Sequence, residues 1–123
     1  MTKSQKPVVR PYRGDVWKVD FPNRPGDPHL PRPAIIISND LHNEYSDAVL
    51  VIPVSDEGLF KRNRLLPTHV FLARGVGGLT KDSRALCEQI VSVDKSKLVA
   101  PLMGKIPSVL MSALVTALRK AVE

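Results

Sequence analysis

The first patterned segment of the chain is RGDVWKVDF at residues 13–21, in which apolar and polar side chains alternate. Side chains of a β-strand point alternately to its two faces, so Trp17, Val19 and Phe21 share one face. Val16 falls on the opposite face among charged side chains. The alternation predicts a first strand with one face in the core and the other in water.

Four further segments have the composition of short strands, because they are rich in β-branched and apolar residues and are bounded by turn residues. They are AIIIS (34–38), AVLVIPV (48–54), THVFLA (68–73) and SRALCEQIVSV (83–93). The last is predicted as one long fifth strand, with Arg84 and Glu88 on a mixed face opposite Ala85 and Cys87. The polar segment 39–47, between the second and third strands, predicts one helical turn at most.

The period changes near the C-terminus, where apolar residues recur at helical spacing. From Pro107 onward they are Val109, Leu110, Ala113, Leu114, Ala117, Leu118, Ala121 and Val122. Pro107 suits the first turn of a helix, and Arg119 and Lys120 suit the last turn because the helix dipole favours cations there. The sequence therefore predicts a mainly β fold, a compact barrel of five short strands capped by a C-terminal α-helix.

The remaining segments separate one domain from an N-terminal arm and supply two long loops. At 123 residues the chain has the size of one domain, which we assign to residues 13–123 after a flexible basic arm of residues 1–12. The segment PNRPGDPHLPRP (22–33) holds five prolines and is predicted to be a loop, as is DEGLFKRNRLLP (56–67). Long ordered loops in a small domain are usually functional.

Charge narrows the classes of partner. Eighteen Lys and Arg residues against twelve Asp and Glu give a net charge of +6, which favours nucleic acid, an anionic lipid surface or an acidic protein. No apolar stretch approaches the roughly 20 residues that span a bilayer, and the first dozen residues lack the apolar core of a secretion signal. These features predict a cytoplasmic protein.

Single residues limit the available chemistry. Cys87 is the only cysteine, so an internal disulfide and a thiolate metal site are excluded, and its place in LCEQI predicts a buried small hydrophobe. The three histidines lack metal-ligand spacing, and the sequence holds neither a phosphate-binding glycine loop nor a hydrolase nucleophile elbow. Neither a metal nor a cofactor is predicted.

Arg32 and Ser55 are the first candidate site residues, because each borders an apolar strand that holds it still. Arg32 stands between Pro31 and Pro33, and its planar guanidinium matches the oxygens of a phosphate. Ser55 ends the AVLVIPV segment, where its hydroxyl can donate to a phosphate oxygen. A purely structural role is open for both: Arg32 can bind loop carbonyls, and Ser55 can simply terminate its strand.

Six stretches of the chain form an ordered set. They are RGDVWKVDF (13–21), RPAIIISND (32–40), VLVIPVS (49–55), LPTHVFL (66–72), GGLTKDSRALCEQIVSVDKSKL (77–98) and the closing amphipathic helix. In this order they resemble the MazF/PemK toxins of bacterial toxin–antitoxin pairs, over about residues 13–122. The ordered set is specific, whereas a single element such as RGD is not.

The resemblance implies a fold, an activity and partners. Such toxins are SH3-like barrels that form homodimers, cut single-stranded RNA at short sequences without a metal, and are blocked by an acidic antitoxin segment. Their catalytic arginine matches Arg32, and their catalytic hydroxyl, often that of Thr, matches Ser55. The Asp82–Ser83 turn and the pair Glu88 and Gln89 match positions that line or support the RNA groove.

The resemblance also implies a reaction in which the 2′-hydroxyl of RNA attacks the adjacent phosphorus. The products are a 2′,3′-cyclic phosphate and a 5′-hydroxyl end. Arg32 is expected to stabilise charge on the phosphorane, with proton donation to the leaving oxygen as a further role, and Ser55 to hold a non-bridging oxygen. Because a guanidinium stays protonated at neutral pH and is a poor base, His29 is the candidate proton carrier.

The two loops are expected to set the RNA specificity. The side chains expected to reach phosphates or base edges are Asn23, Arg24, Lys61, Arg62 and Arg64. The loop at 22–33 is stiffer and more basic than the Gly-rich, acidic loop of many family members, so the RNA sequence recognised does not carry over from relatives. Arg13 and the basic arm are expected either to extend the basic surface that binds RNA or to contact the acidic antitoxin.

Three other functions stay open from the sequence. Some barrels of this architecture inhibit DNA gyrase by binding it, although such a binder has no reason to keep Arg32 and Ser55 together. A degenerate homologue that only binds RNA or an antitoxin is compatible with Ser55 in place of the commoner Thr. A module that reads proline-rich peptides needs an aromatic groove, for which three Phe, two Tyr and one Trp are few.

Overall fold

The computed structural model describes residues 9–22, 30–56 and 65–123, which form seven strands and two α-helices. The strands are β1 (Asp15–Val19), β2 (Arg32–Ile36), β3 (Ala48–Asp56), β4 (His69–Leu72), β5 (Ser83–Leu86), β6 (Val91–Asp94) and β7 (Leu98–Lys105). The helices are α1 (Asp40–Tyr45), between β2 and β3, and α2 (Ser108–Val122). Short 3-10 turns lie at Val76–Gly78, Cys87–Gln89 and Lys95–Lys97. The predicted mainly β fold with a C-terminal helix is confirmed.

The strand pairs in the described part of the chain are antiparallel. The strands follow the order β4–β5–β3–β2–β1–β7, and β6 pairs with β3. Among the described residues β4 and β7 end this order and do not pair with each other, so the hydrogen-bonded path is open where the sequence predicts a barrel. β4 contacts α2 instead, and Pro101 of β7 lacks the N–H that a further ladder bond needs.

Hydrophobic clusters pack against both sides of the sheet at β1, although Lys18 of this strand is exposed. The first cluster contains Val16, Ile35 and, from α2, Leu114. The second cluster contains Trp17 and Val19. The prediction of a wet second face is therefore wrong at Val16, which is fully buried on the side that α2 covers.

The predicted fifth strand is wrong in its continuity, because the 3-10 turn Cys87–Gln89 divides it into β5 and β6. Both halves pair with β3, but out of step: Ala85 lies opposite Val54, and Val91 lies opposite Val51. Six residue steps of this segment (from 85 to 91) thus correspond to three steps along β3 (from 54 to 51), and the surplus residues lie in the turn, outside the ladder.

β7 is a strand that the sequence pattern does not predict. Its sequence, LVAPLMGK, has no clean alternation and contains Pro101 and Gly104. Proline is tolerated in a strand at the edge of a sheet, and β7 pairs with β1 alone among the described strands. A Cβ atom at Gly104 would overlap the backbone of Gly77, so the glycine lets the Val76–Gly78 turn pack against the strand.

The C-terminal helix follows the predicted period. Pro107 stands at the N-cap of α2, and the buried side chains of the helix are Met111, Leu114 and Ala117. These side chains belong to the first hydrophobic cluster. At the other end of the chain Val9 packs against the second cluster, so the last residues of the predicted flexible arm are part of the packed fold.

Candidate functional site

Arg32 and Ser55 lie at the same end of two neighbouring strands. β2 and β3 pair with Ala34 opposite Pro53. Continuing this register by two residues brings Arg32, the first residue of β2, opposite Ser55 near the end of β3. Because side chains alternate along a strand, both share the face of Ala34, which belongs to the second cluster.

The two residues line a groove of about 660 Å³, which we call the candidate groove. Its polar lining includes Arg32, Ser55 and Gln89, and its apolar walls include Phe21 and Val91. Arg32 is exposed and carries a fixed positive charge. The groove therefore offers a cation, a hydroxyl and an amide beside apolar surface, and it is also lined by Asp56, whose carboxylate pairs with Lys81. The cation, the hydroxyl and the amide suit a phosphate that carries a ring or base.

The break between β5 and β6 explains why Gln89 reaches the candidate groove. In an unbroken strand Gln89 would share a face with Ala85 and Cys87, which lie in the first cluster. The 3-10 turn Cys87–Gln89 changes that direction, and Gln89 is exposed in the groove. Glu88, the preceding residue, turns towards β4 instead.

A chain of polar contacts, which we call the Arg84–His69–Glu88 network, links two buried residues, Arg84 and His69, to the exposed Glu88 next to Gln89. Arg84 is 2% exposed, and its guanidinium lies 3.4 Å from Nδ1 of His69. Nε2 of the buried His69 lies 3.2 Å from Oε2 of Glu88. The sequence pattern placed Arg84 on a mixed face and did not predict this network. The pattern within one strand does not show whether a neighbouring strand buries a given arginine.

The Asp82–Ser83 turn lies outside the candidate groove. Oδ1 of Asp82 accepts a hydrogen bond from the backbone N–H of Arg74 at 2.9 Å, and the Ser83 hydroxyl donates to the Lys81 carbonyl oxygen at 2.8 Å. Ser83 lines a neighbouring cavity of about 760 Å³ together with Lys81 and Asp56, and Asp56 also lines the candidate groove. The charged groups of Lys81 and Asp56 pair at 3.2 Å. Asp82 and Ser83 thus hold their own loop, and an RNA-binding role for them stays a prediction.

Six predicted site residues lie outside the described part of the chain. They are Asn23, Arg24, His29, Lys61, Arg62 and Arg64. The chain enters the two segments that hold them from Pro22 and Asp56, which both line the candidate groove. The roles of these six residues stay predictions.

Arg13, two residues before β1, makes structural contacts. Its guanidinium donates to the Ile37 carbonyl oxygen at 2.6 Å, and its backbone N–H donates to Oδ1 of Asp40 at 2.6 Å. These bonds tie β1 to the segment that joins β2 to α1. A role for Arg13 in binding RNA or an antitoxin stays a prediction beside this structural one.

Cys87 is fully buried, as predicted. Burial and, to a smaller extent, the neighbouring Glu88 carboxylate together raise the pKa of its thiol to about 11, so little reactive thiolate forms near neutral pH. In residues 9–22, 30–56 and 65–123 no three His, Cys, Asp or Glu side chains come together as metal ligands. No helix in these ranges is long and apolar enough to cross a membrane.

The fold and the candidate groove define the class of protein: a small, basic, mainly β protein with an arginine and a hydroxyl lining one groove. The profile of the family described as "PemK-like, MazF-like toxin of type II toxin-antitoxin system" matches residues 12–122. The chain therefore belongs to the PemK/MazF-like toxin family, which confirms the resemblance found in the sequence.

Relatives agree with this assignment in sequence and in fold. The Endoribonuclease MazF of Staphylococcus epidermidis is 40% identical over 87 residues, which cover 70% of each chain. The structure of an endoribonuclease in complex with its cognate antitoxin from a mycobacterial species covers 90% of this chain and 93% of its own, at a TM-score of 0.70 and 23% identity. A MazE–MazF structure from Deinococcus radiodurans covers 92% and 95%, at a TM-score of 0.71 and 18% identity. The two structural likenesses show a shared fold.

Proposed function

We propose that this protein is a metal-independent endoribonuclease that cuts single-stranded RNA at a short recognised sequence. The observation that carries the proposal is the position of Arg32 and Ser55, side by side at one end of β2 and β3 and in one groove. The similarity to a relative named Endoribonuclease MazF supports the same activity here. The net charge of +6 supports a polyanionic substrate.

The proposed reaction uses the nucleophile of the RNA itself. The 2′-oxygen forms a bond to the adjacent phosphorus while the bond from that phosphorus to the 5′-oxygen breaks. A proton leaves the 2′-hydroxyl, and another is taken up by the 5′-oxygen, giving a 2′,3′-cyclic phosphate and a 5′-hydroxyl end. The protein has to align the attack, stabilise the charge on the phosphorane and move these two protons.

Arg32 and Ser55 supply the charge stabilisation in this proposal. Arg32 brings a fixed positive charge and several donors to the groove, so it stabilises negative charge on the non-bridging oxygens and is the proposed proton donor to the 5′-oxygen. Ser55 donates a hydrogen bond to one non-bridging oxygen. His29 is proposed to accept the proton of the 2′-hydroxyl, because an imidazole titrates near neutral pH.

The walls of the candidate groove are proposed to hold an unstacked base. Proteins read single-stranded RNA by stacking splayed bases on rings and by hydrogen-bonding the base edges. Phe21 supplies a ring, and Gln89 supplies an amide that both donates and accepts. The loop side chains of Asn23, Arg24, Lys61, Arg62 and Arg64 are proposed to add contacts to phosphates and base edges.

An acidic antitoxin segment and a second copy of this chain are the proposed partners. The mycobacterial relative was solved with its cognate antitoxin, and the Deinococcus radiodurans relative as MazE–MazF. A net charge of +6 favours an acidic segment for the same reason that it favours RNA. The homodimer rests on membership of the family.

A pair of RNA oligonucleotides tests the proposed chemistry, in excess EDTA. The first contains one cleavage site, and the second carries a 2′-deoxy nucleotide on the 5′ side of the same site. We expect the first to be cut with a 5′-hydroxyl end and the second to stay intact. Cutting of the deoxy oligonucleotide, or loss of cutting in EDTA, would contradict the proposal.

A further inference from the structure

We infer that the Arg84–His69–Glu88 network is a positioning element that holds Gln89 at a fixed place relative to Ser55 in the candidate groove. The inference rests on the proposed function, because it concerns how the groove holds RNA. The network acts through the turn that carries Gln89 and does not itself touch the reacting phosphate. It gives a role to Arg84 and His69, which the proposed reaction does not use.

The first link joins Arg84 to the strand that carries Ser55. The two residues lie directly opposite each other in the ladder between β3 and β5, and opposed side chains in such a ladder share a face about 5 Å apart. Arg84 is 2% exposed, so protein groups rather than solvent surround its charge. A buried cation is costly unless it is hydrogen-bonded, and the contact with His69 is one of the contacts that satisfy this guanidinium.

The second link fixes the tautomer of His69. A guanidinium has donors only, so the 3.4 Å contact from Arg84 requires Nδ1 to accept. The ring proton then lies on Nε2, which donates to the Glu88 carboxylate at 3.2 Å. The three groups form one directed chain of hydrogen bonds, from β5 through β4 to the turn Cys87–Gln89.

The third link holds the turn Cys87–Gln89, which lies outside the ladder with β3. The backbone N–H of Cys87 donates to the Thr68 carbonyl oxygen at 3.0 Å, and the N–H of Ile90 donates to the Cys87 carbonyl oxygen at 3.3 Å. Neither bond involves Glu88 or Gln89. The carboxylate of Glu88 on His69 adds a side-chain contact in the middle of the turn, which α2, β3 and β4 also contact, and Gln89 is the next residue along the chain.

A positioning role predicts a different change in activity from a general loss of stability. Loss of the network leaves Arg32 and Ser55 on their strands, but it releases the amide of Gln89 from its fixed place. We therefore expect the discrimination between RNA sequences to fall together with kcat/KM, while the cut that is made still leaves a 5′-hydroxyl end.

A double-mutant cycle between Glu88 and Gln89 tests the inference. In the parental background, E88A is expected to lower kcat/KM on the preferred RNA about 10-fold to 100-fold, as a displaced contact does. E88Q keeps an oxygen that accepts from His69, so it is expected to retain most of the activity. In a Q89A background, E88A is expected to change kcat/KM by less than about twofold. Independent, additive losses would mean that Glu88 acts on RNA directly and would overturn the inference.

The tautomer of His69 is a second readout that needs no RNA. Nitrogen-15 spectra of the full chain, assigned with H29A and H42A, are expected to show the Nε2–H form of His69 at neutral pH. Arg84→Met removes the donors with little change in volume, and it is expected to give a mixture of both tautomers. The Nδ1–H form in the parental protein would overturn the inference.

The inference and the proposed function fail in different ways. If the folded parental protein cuts no RNA although His69 shows the Nε2–H form, the endoribonuclease proposal is contradicted. If the parental protein cuts RNA and the losses from E88A and Q89A are additive, only the positioning role is contradicted.

Discussion

Arg32 of β2 and Ser55 of β3 stand at the same end of adjacent antiparallel strands and line one groove. Each is anchored by the apolar strand that it borders, because Ala34 and Ile36 in β2 and Val51 in β3 are fully buried. Side chains on packed strands are held more accurately than side chains on loops. This arrangement is the basis of the proposal that one phosphate contacts both the cation and the hydroxyl.

Replacing Ser55 by Ala is expected to lower the rate of RNA cleavage about 10²-fold to 10³-fold, because one preorganised donor to the phosphorane is lost. Ser55→Thr is the matched control: it keeps the hydroxyl and is expected to retain most of the activity. Single-turnover cleavage measures both, with thermal melting as a check of folding. Equal rates for S55A and the parental protein would show that Ser55 does not meet the reacting phosphate.

His29→Ala is expected to slow cleavage and to remove the limb of the pH–rate profile that rises near pH 6–7, where an imidazole loses its proton and becomes a base. His42→Ala is the control, since His42 is an exposed residue of α1 and lines no part of the candidate groove. The measurement is kcat/KM between about pH 5 and pH 9. A parental rate for H29A across this range would exclude His29 as the proton carrier.

The free energy of unfolding is expected to depend on Cys87 at alkaline pH. Burial raises the pKa of the thiol from 9.0 to about 11 in the folded protein, whereas the exposed thiol of the unfolded chain keeps its ordinary pKa. The unfolded chain therefore loses its proton first, so the contribution is full below pH 9 and is lost as the pH rises towards 11. Urea unfolding at several pH values should show a shallower decline for C87A, and equal slopes would argue against a buried, protonated thiol.

Gly78→Ala is expected to destabilise the fold more than Gly75→Ala. Both glycines have a positive φ, so either alanine costs about 1–2 kcal/mol of backbone strain. A Cβ at Gly78 would in addition overlap the Met103 carbonyl oxygen of β7, whereas a Cβ at Gly75 meets nothing within 4 Å. The clash should cost about 1–3 kcal/mol more. Equal unfolding free energies for the two variants would contradict the close packing of this turn on β7.

The sequence predicted elements correctly where a regular pattern coincides with burial. The segments AIIIS, AVLVIPV and THVFLA overlap β2, β3 and β4, and the helical period marks α2. The sequence did not predict β7 because Pro101 and Gly104 interrupt its pattern. A proline at the sheet edge and a glycine against Gly77 are accommodated by neighbours that the local sequence does not show.

The candidate site was likewise predictable from the sequence only in part. Arg32 and Ser55 could be proposed from sequence because each directly borders an apolar run, and the structure brings both into one groove. The exposure of Gln89 depends on the surplus residues between β5 and β6, and the burial of Arg84 depends on the position of β5 between β3 and β4. The surplus arises from how this segment pairs with β3, which the local sequence does not show. The uninterrupted pattern of residues 83–93 therefore predicted a single strand.

The most direct test of the central claim is end mapping of a long, weakly structured RNA after incubation with antitoxin-free protein in excess EDTA. The parental protein is compared with R32A and with R74A, which removes the same charge from an exposed turn outside the candidate groove. We predict discrete cuts with 5′-hydroxyl ends for the parental protein and R74A, and none for R32A. Unchanged cutting by R32A, or no cutting by the folded parental protein, would contradict the claim that Arg32 and Ser55 form a ribonuclease site.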